Sequence, residues 1–321
     1  MSAPESGWAI RLGRRRAVGL LSASALVVAA CRAPGAGSGA GAPAPQGQGV
    51  SFANPNLIVT AEWLLQHLND PKLRIVDARP AADYQKGHIP GAVSLPVVDT
   101  FDPSKDRNYP DTKEKLEALF GSKGIGNDIR VITYDNGNGT DTQASRLFWT
   151  LEYAGHPNVA YLNGGLRAWQ EAKGEVVTDV PAVSPAKFVA KIDPAKLPTK
   201  EQCLVAINDK SKVILDSRSP EEYRGEDVRA KFGGHIPGAV NIDYRLNFAP
   251  TGALKDAASL KALYESKGVT RDKEVIAHCQ TGQRSSVSYL VLRLLGYPKV
   301  GNYAGSWVEW GNDPTTPKTQ G

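Results

Sequence analysis

The sequence predicts an α/β protein of two tandem domains, each with a parallel β-sheet covered by helices on both faces. Its 321 residues are enough for two domains. The second half of the chain repeats the landmarks of the first half in the same order. Within each half, short apolar strands alternate with helical segments, which is typical of parallel sheets buried on both faces.

Four landmarks define the repeat. RIVDAR, which contains Asp77, recurs as VILDSR, which contains Asp216, and GHIPGAV occurs in both halves. VITYD ends at Asp135, and VIAHC ends 144 residues later at Cys279. NGGLRAW recurs as AGSWVEW. This order and nearly constant spacing indicate a duplicated domain rather than a solenoid of short repeats.

The sequence predicts the same series of elements in each copy. It opens with a helix, TAEWLLQHL or EQCLVAI, and Thr199 with Gln202 predicts a capping box in the second copy. A strand follows (LRIVDA or KVILDS), then a helix near PAADY or PEEY, then a turn and short strand at GHIPGAV. A polar helix, a buried strand (VITY or VIAH) and another helix complete the copy.

The predicted boundaries follow from this repeat and from composition. We expect an export signal over residues 1–31, an Ala/Gly/Pro-rich tether over 32–52, a first domain over 53–175, a linker over 176–197, a second domain over 198–313 and a tail over 314–321.

The N-terminus has the features of a lipoprotein signal. RLGRRR is charged, AVGLLSASALVVAA is apolar but too short for an ordinary spanning helix, and VAAC ends at Cys31. The adjacent arginines fit either a Sec or a twin-arginine route, and an uncleaved anchor helix is the alternative. We therefore predict lipidation at Cys31 and an exported chain, anchored to the outer face of a bacterial membrane by a flexible tether.

Charge and cysteine content argue against two other classes of protein. The net charge is +5, but four arginines lie in the first 30 residues, and no basic run with interleaved aromatic residues remains for nucleic acid. The three cysteines, an odd and low number, argue against a disulfide framework.

Cys279, in the stretch HCQTGQRSS, has the sequence context of a reactive thiolate. It ends a buried strand, where open α/β sheets bind ligands, and the loop CQTGQR leads into a helix whose N-terminus favours anions. Gly282 lets the loop curl, and Arg284 adds positive charge. These features predict a nucleophile in an anion-binding cup, suited to a small anionic sulfur donor. The alternative, an inert buried thiol, is our interpretation of Cys203.

These motifs resemble those of the tandem-domain rhodanese family, the thiosulfate sulfurtransferases. The resemblance rests on the DSR triplet from Asp216, the GHIPGA turns, the six-residue loop from Cys279 and the motif GSWVEW, and it spans roughly residues 55–313. It implies two rhodanese-like domains, of which the first is inactive because Asp135 stands in place of the cysteine.

The resemblance also implies a ping-pong reaction. Cys279 would take the outer sulfur of thiosulfate, hold it as a persulfide and pass it to cyanide or a thiol. Arg146 of the first domain would reach the interdomain cleft, with a surface or interdomain ion pair as its alternative role. No metal or other cofactor is implied. The implied substrate-binding residues are Gln280, Thr281, Gly282, Gln283, Arg284 and Arg146.

Three alternative functions compete with this one. Phosphatases of related fold have a longer loop, C-x5-R, so the C-x4-R spacing here argues against phosphatase or arsenate chemistry. A 3-mercaptopyruvate sulfurtransferase belongs to the same family; Arg284 favours thiosulfate, since family loops such as CGSGVT accompany mercaptopyruvate. A non-enzymatic carrier of sulfane sulfur stays open.

The remaining repeated residues are predicted to be structural. His88 and His235 occur in both copies, including the copy without a cysteine, so we interpret them as packing residues of the turn. The same reasoning makes Asp77 with Arg79, and Asp216 with Arg218, ion pairs of the fold. His278 is expected to point away from the site. Trp307 and Trp310 are expected to pack the second domain.

Overall fold

The computed structural model describes residues 51–105 and 109–321. The predicted export signal, nearly all of the predicted tether and the predicted lipidation site Cys31 lie outside the described residues and remain predictions. Within the described part of the chain, no helix is long and apolar enough to cross a membrane.

The first domain is a five-stranded sheet with flanking helices. Its strands lie in the order β1-β5-β4-β2-β3, and all neighbours are parallel. The carboxyl ends of the central strands β2 and β4 therefore meet at one edge of the sheet. In chain order the elements are β1 (Ile58–Val59), α1 (Ala61–His67), β2 (Leu73–Asp77), α2 (Ala81–Lys86), β3 (Val93–Ser94), α3 (Lys113–Ser122), β4 (Arg130–Tyr134), α4 (Gln143–Tyr153), β5 (Val159–Leu162) and α5 (Gly165–Glu171).

The second domain repeats this architecture with four parallel strands in the order β7-β6-β8-β9. The pairing of β6 with β8 ends with Asp216 opposite His278, so Cys279 follows β8 at the carboxyl edge of the sheet. The fold class predicted from the sequence is confirmed. The elements are α6 (Lys200–Ala206), β6 (Lys212–Asp216), α7 (Pro220–Arg224), β7 (Val240–Asn241), α8 (Ala257–Glu265), β8 (Glu274–His278), α9 (Ser285–Leu294), β9 (Val300–Asn302) and α10 (Ser306–Trp310).

Side-chain caps fix where several helices begin. Thr199 and Gln202 form the capping box predicted for α6, and Ser219 and Glu222 form a second one at α7.

The ion pair predicted for the second domain is present. Arg218 donates to the carboxylate of Asp216 from two guanidinium nitrogens, and it also donates to the Gly234 carbonyl.

The two domains share one apolar core. A continuous buried cluster joins the inner faces of both sheets and includes Leu147 of α4 and Leu290 of α9. Separate clusters cover the outer face of each sheet, one around Trp169 and one around Trp307 and Trp310. Helices therefore cover both faces of each sheet, and α4 packs against α9 at the junction between the domains.

The predicted linker and tail both pack on a domain. Ala186 N donates to Gly121 O, and the ring of Phe188 packs edge-on against Phe120, so the connection follows the surface of the first domain. At the other end of the chain, Thr319 exchanges two backbone hydrogen bonds with His235. The tail thus supports the GHIPGA turn of the second domain.

Candidate active site

Cys279 lies in the loop between β8 and α9 and is fully buried. Burial by itself raises the pKa of its thiol, but the charge of Arg284 acts against this effect. Hydrogen bonds from the amides of Thr281 and Ser285 and from the Ser285 hydroxyl act in the same direction as Arg284, and the pKa lies below its ordinary value. The loop therefore favours the thiolate, which is the reactive form of cysteine.

Gly282 gives the loop its curvature. Its φ is +73°, and a Cβ atom at this position would lie 2.7 Å from Arg146 Nη1 and 2.9 Å from the Cα of Ala304. Both the backbone angle and the space therefore require glycine. The Gly282 carbonyl accepts hydrogen bonds from Arg146 Nη1 at 2.7 Å and from Asn302 Nδ2 at 2.9 Å.

Arg146 supports the loop from the first domain. It lies in α4, is fully buried and stacks over the rings of Trp149 and Phe101. Burial lowers its pKa to about 9, and the charge of Cys279 acts in the opposite direction. The structure thus places Arg146 at the loop, behind Gly282, where its hydrogen bond holds the loop carbonyl.

Arg284 has a partner that the sequence patterns do not indicate. Its Nη1 and Nη2 donate to the two carboxylate oxygens of Glu222 at 2.5 and 2.8 Å. Glu222 is only 1% exposed, and the Arg284 side chain is 18% exposed. Arg284 is thus held beside the loop by a paired, two-point contact.

Ser306 and Asn302 also hold the loop, and neither is among the residues predicted from the sequence. The amide of Cys279 donates to Ser306 Oγ at 3.2 Å, and Ser306 Oγ donates to the Tyr303 carbonyl. The Ser285 hydroxyl donates to Asn302 Oδ1 at 2.6 Å. The sequence feature that could have pointed to Ser306 is the motif AGSWVEW. Its tryptophans indicate packing, and its serine supports the loop.

A cleft of about 630 Å³ opens beside the loop. Gln280, Thr281 and Arg284 line it from the loop. Gln280 donates to the Arg229 carbonyl at 2.9 Å, which ties the loop to the segment after α7. Gln283 is half-buried in the same loop, and its side-chain oxygen has no hydrogen-bond partner among the described residues. The other lining residues are Ser219, Glu221, Glu222, Asp227, Arg229, Asp243, Tyr244 and Arg245.

Comparison with known protein families identifies the family of this chain. The model of the rhodanese-like domain matches it twice, over residues 60–172 and 199–313. The chain belongs to the rhodanese-like domain family.

Two curated relatives extend over most of this rhodanese-like chain. The thiosulfate sulfurtransferase of Azotobacter vinelandii is 38% identical over 268 residues, covering 83% of this chain and 98% of that protein. A sulfur carrier protein of Thermus thermophilus is 36% identical over 286 residues, covering 85% of this chain and 99% of that protein. The chain is accordingly an enzyme of sulfur transfer.

A solved structure shares the fold of both rhodanese-like domains. The anaerobic ergothioneine biosynthesis enzyme from Chlorobium limicola, in complex with trimethyl histidine, matches with a TM-score of 0.76 and 25% identity. The match covers 84% of this chain and 71% of that one.

In the first rhodanese-like domain, a carboxylate fills the position of the cysteine. Asp135 accepts hydrogen bonds from the amides of Gly137 and Ala144, each at 3.1 Å. Burial, assisted by the charge of Asp141, raises the pKa of Asp135 to about 7. The amides of Gly137 and Ala144 therefore bind the carboxylate of Asp135, whereas the amides of Thr281 and Ser285 in the second domain bind the sulfur of Cys279.

The repeated residues have the structural contacts that the duplication predicts. His88 stacks on Tyr84 and His235 stacks on Tyr223, with ring centroids 3.7 Å apart in both cases. Each histidine also donates from Nδ1 to the carbonyl of its stacking tyrosine. These contacts fix the GHIPGA turn against the preceding helix in both domains.

Three further residues lie in the core. His278 is fully buried with Nε2 3.6 Å from Asp216 Oδ2, and burial lowers its pKa. Burial likewise raises the pKa of Cys203, which makes a thiolate there unfavourable. Trp307 stacks under Arg218 and donates to the Phe232 carbonyl, so it packs the second domain.

Proposed function

We propose that this protein moves sulfane sulfur from thiosulfate to cyanide or another thiophilic acceptor through a persulfide on Cys279. The observation that carries the proposal is the environment of Cys279, in which loop amides and Arg284 favour the thiolate at the N-terminus of α9. The names of the curated relatives, thiosulfate sulfurtransferase and sulfur carrier protein, also support it.

The reaction has two steps. The Cys279 thiolate attacks the outer sulfur of thiosulfate, the sulfur–sulfur bond of thiosulfate breaks, and sulfite leaves with the bonding electron pair. The persulfide that remains carries a negative charge on its outer sulfur, which the amides of the loop stabilise. The acceptor then attacks that outer sulfur, and the Cys279 thiolate is regenerated.

Donor preference tests this proposal against 3-mercaptopyruvate as the alternative donor. We expect kcat/KM for thiosulfate to exceed that for 3-mercaptopyruvate by about tenfold or more, because the cationic loop suits a sulfonate-like anion. Steady-state assays with each donor and cyanide give both values. A higher kcat/KM for 3-mercaptopyruvate would refute thiosulfate as the donor.

Delivery of the sulfur to a partner protein, with cyanide only a poor acceptor, is the second candidate, favoured by the relative named as a sulfur carrier protein. The same assays separate the two candidates. Repeated turnover with thiosulfate and cyanide supports a small thiophilic acceptor, whereas a single sulfur transferred per chain supports a partner protein as the acceptor.

A further inference from the structure

The ion pair between Glu222 and Arg284 is specific to the domain that has the cysteine. By the constant offset of the repeat, Glu222 corresponds to Asp83 in the first domain. The Asp83 side chain is 38% exposed and pairs with Lys86 on its own helix. The fold therefore does not need a buried carboxylate at this position, and Glu222 has turned toward the loop only where a cysteine stands at its start.

Glu222 is ionised, and it cancels charge beside the sulfur. Burial acts to raise its pKa, but its hydrogen bonds with Arg284 hold that pKa below the ordinary value. Both terminal nitrogens of Arg284 point at Glu222, and Arg229 lies 3.8 Å from the same carboxylate. Arg284 thus offers the cleft less positive charge, and fewer donors, than an unpaired arginine would.

We propose that Glu222 is a specificity-determining residue, which limits how strongly the loop attracts an anionic donor by neutralising Arg284. The proposal rests on the proposed function for its choice of donor. A cup that bound the dianion thiosulfate too tightly would also retain sulfite and hold the negative persulfide against its acceptor. Glu222 sets an intermediate charge that allows both steps of the reaction.

The role of Glu222 in its own helix can be kept while its charge is removed. Glu222 is also the third helical residue of the capping box with Ser219, and glutamine serves equally at that position. Glutamine also keeps one oxygen that can accept from Arg284. Glu222→Gln therefore removes the charge while keeping the helix cap, and Glu226→Gln is the matched control. Glu226 lies just after the same helix and outside the cleft, and its ionic partner is Arg224.

Two readouts test the proposal. In Glu222→Gln we expect the KM for thiosulfate to fall about three- to tenfold. The charge of Arg284 is then no longer neutralised, and at a partly exposed site one charge has an effect of this size. We also expect alkylation of Cys279 by iodoacetamide to reach its midpoint about half to one pH unit lower, because Arg284 then favours the thiolate more strongly. Glu226→Gln is expected to match the wild type in both.

Other charges near the site are the same in both variants. Cys279 faces Arg146 from α4, and Arg284 also interacts with Asp216 and Tyr244. An Arg284→Gln background isolates the pair further, since the effect of Glu222→Gln should disappear there.

An unchanged or higher KM and alkylation midpoint in Glu222→Gln would overturn the proposal, as would equal shifts in Glu226→Gln. Absence of thiosulfate turnover in the wild type would instead contradict the proposed function. The alkylation midpoint uses no donor, so it would still decide the role of Glu222 in that case.

Discussion

Replacing Cys279 with serine is expected to reduce turnover of thiosulfate and cyanide by at least about a thousandfold. A serine hydroxyl at this site stays protonated at neutral pH, and it cannot carry a persulfide. The fold should be retained, because the side chains have nearly the same shape and the loop is held by contacts outside Cys279, including those of Gly282 and Asn302. Steady-state kinetics and a thermal melt of the same preparation measure both effects.

Cys203→Ala is the matched control for Cys279→Ser. Cys203 is equally buried, but its pKa is raised and it lies in α6, within an apolar cluster that contains none of the loop residues, so its loss should leave turnover unchanged. Residual activity of Cys279→Ser above a tenth of the wild-type value would place the nucleophile elsewhere.

Gly282→Ala is the second variant with a large expected effect. The residue must adopt a φ of +73°, and its Cβ would lie 2.7 Å from Arg146 Nη1. The loop has to shift to admit the methyl group, which moves the amides that face Cys279. We expect kcat/KM to fall by about a hundredfold and the free energy of unfolding to fall by about 1–3 kcal/mol. Steady-state assays and denaturant titration give the two values.

Gly268→Ala separates the effect of backbone strain from the effect of crowding. Gly268 has nearly the same φ, +76°, but a Cβ atom there would have no neighbouring atom within 4 Å, and the residue lies outside the cleft. The variant should lose stability of about 1 kcal/mol with unchanged kcat/KM. If Gly282→Ala kept wild-type kcat/KM, the geometry of the loop would not control the reaction.

The fold is predictable from the sequence because the chain contains two copies of one domain, and the two copies can be compared with each other. Residues present in both copies, such as His88 and His235, identify structural contacts, and the position with Asp135 in one copy and Cys279 in the other identifies the candidate site. Local signals, such as the capping box at Thr199, give the start of individual helices. These patterns depend on neighbouring residues and on the repeat, both of which are visible in the sequence.

The supports of the loop could not be predicted in the same way. Glu222 lies 62 residues from Arg284, and Ser306 lies 27 residues from Cys279, so only the folded chain brings these pairs together. The resemblance placed Arg146 at the cleft, but its buried contact with the Gly282 carbonyl depends on how α4 packs against α9. Side-chain direction at such junctions is set by tertiary packing, which no local pattern encodes.

Intact-protein mass spectrometry after treatment with thiosulfate, without an acceptor, measures directly whether Cys279 takes up sulfur. We expect each chain to gain the mass of one sulfur atom, peptide mapping to place that atom on Cys279, and one sulfite to be released per chain. Cyanide should then remove the added mass. An unchanged mass after treatment, or a sulfur atom on any cysteine other than Cys279, would contradict transfer through a Cys279 persulfide.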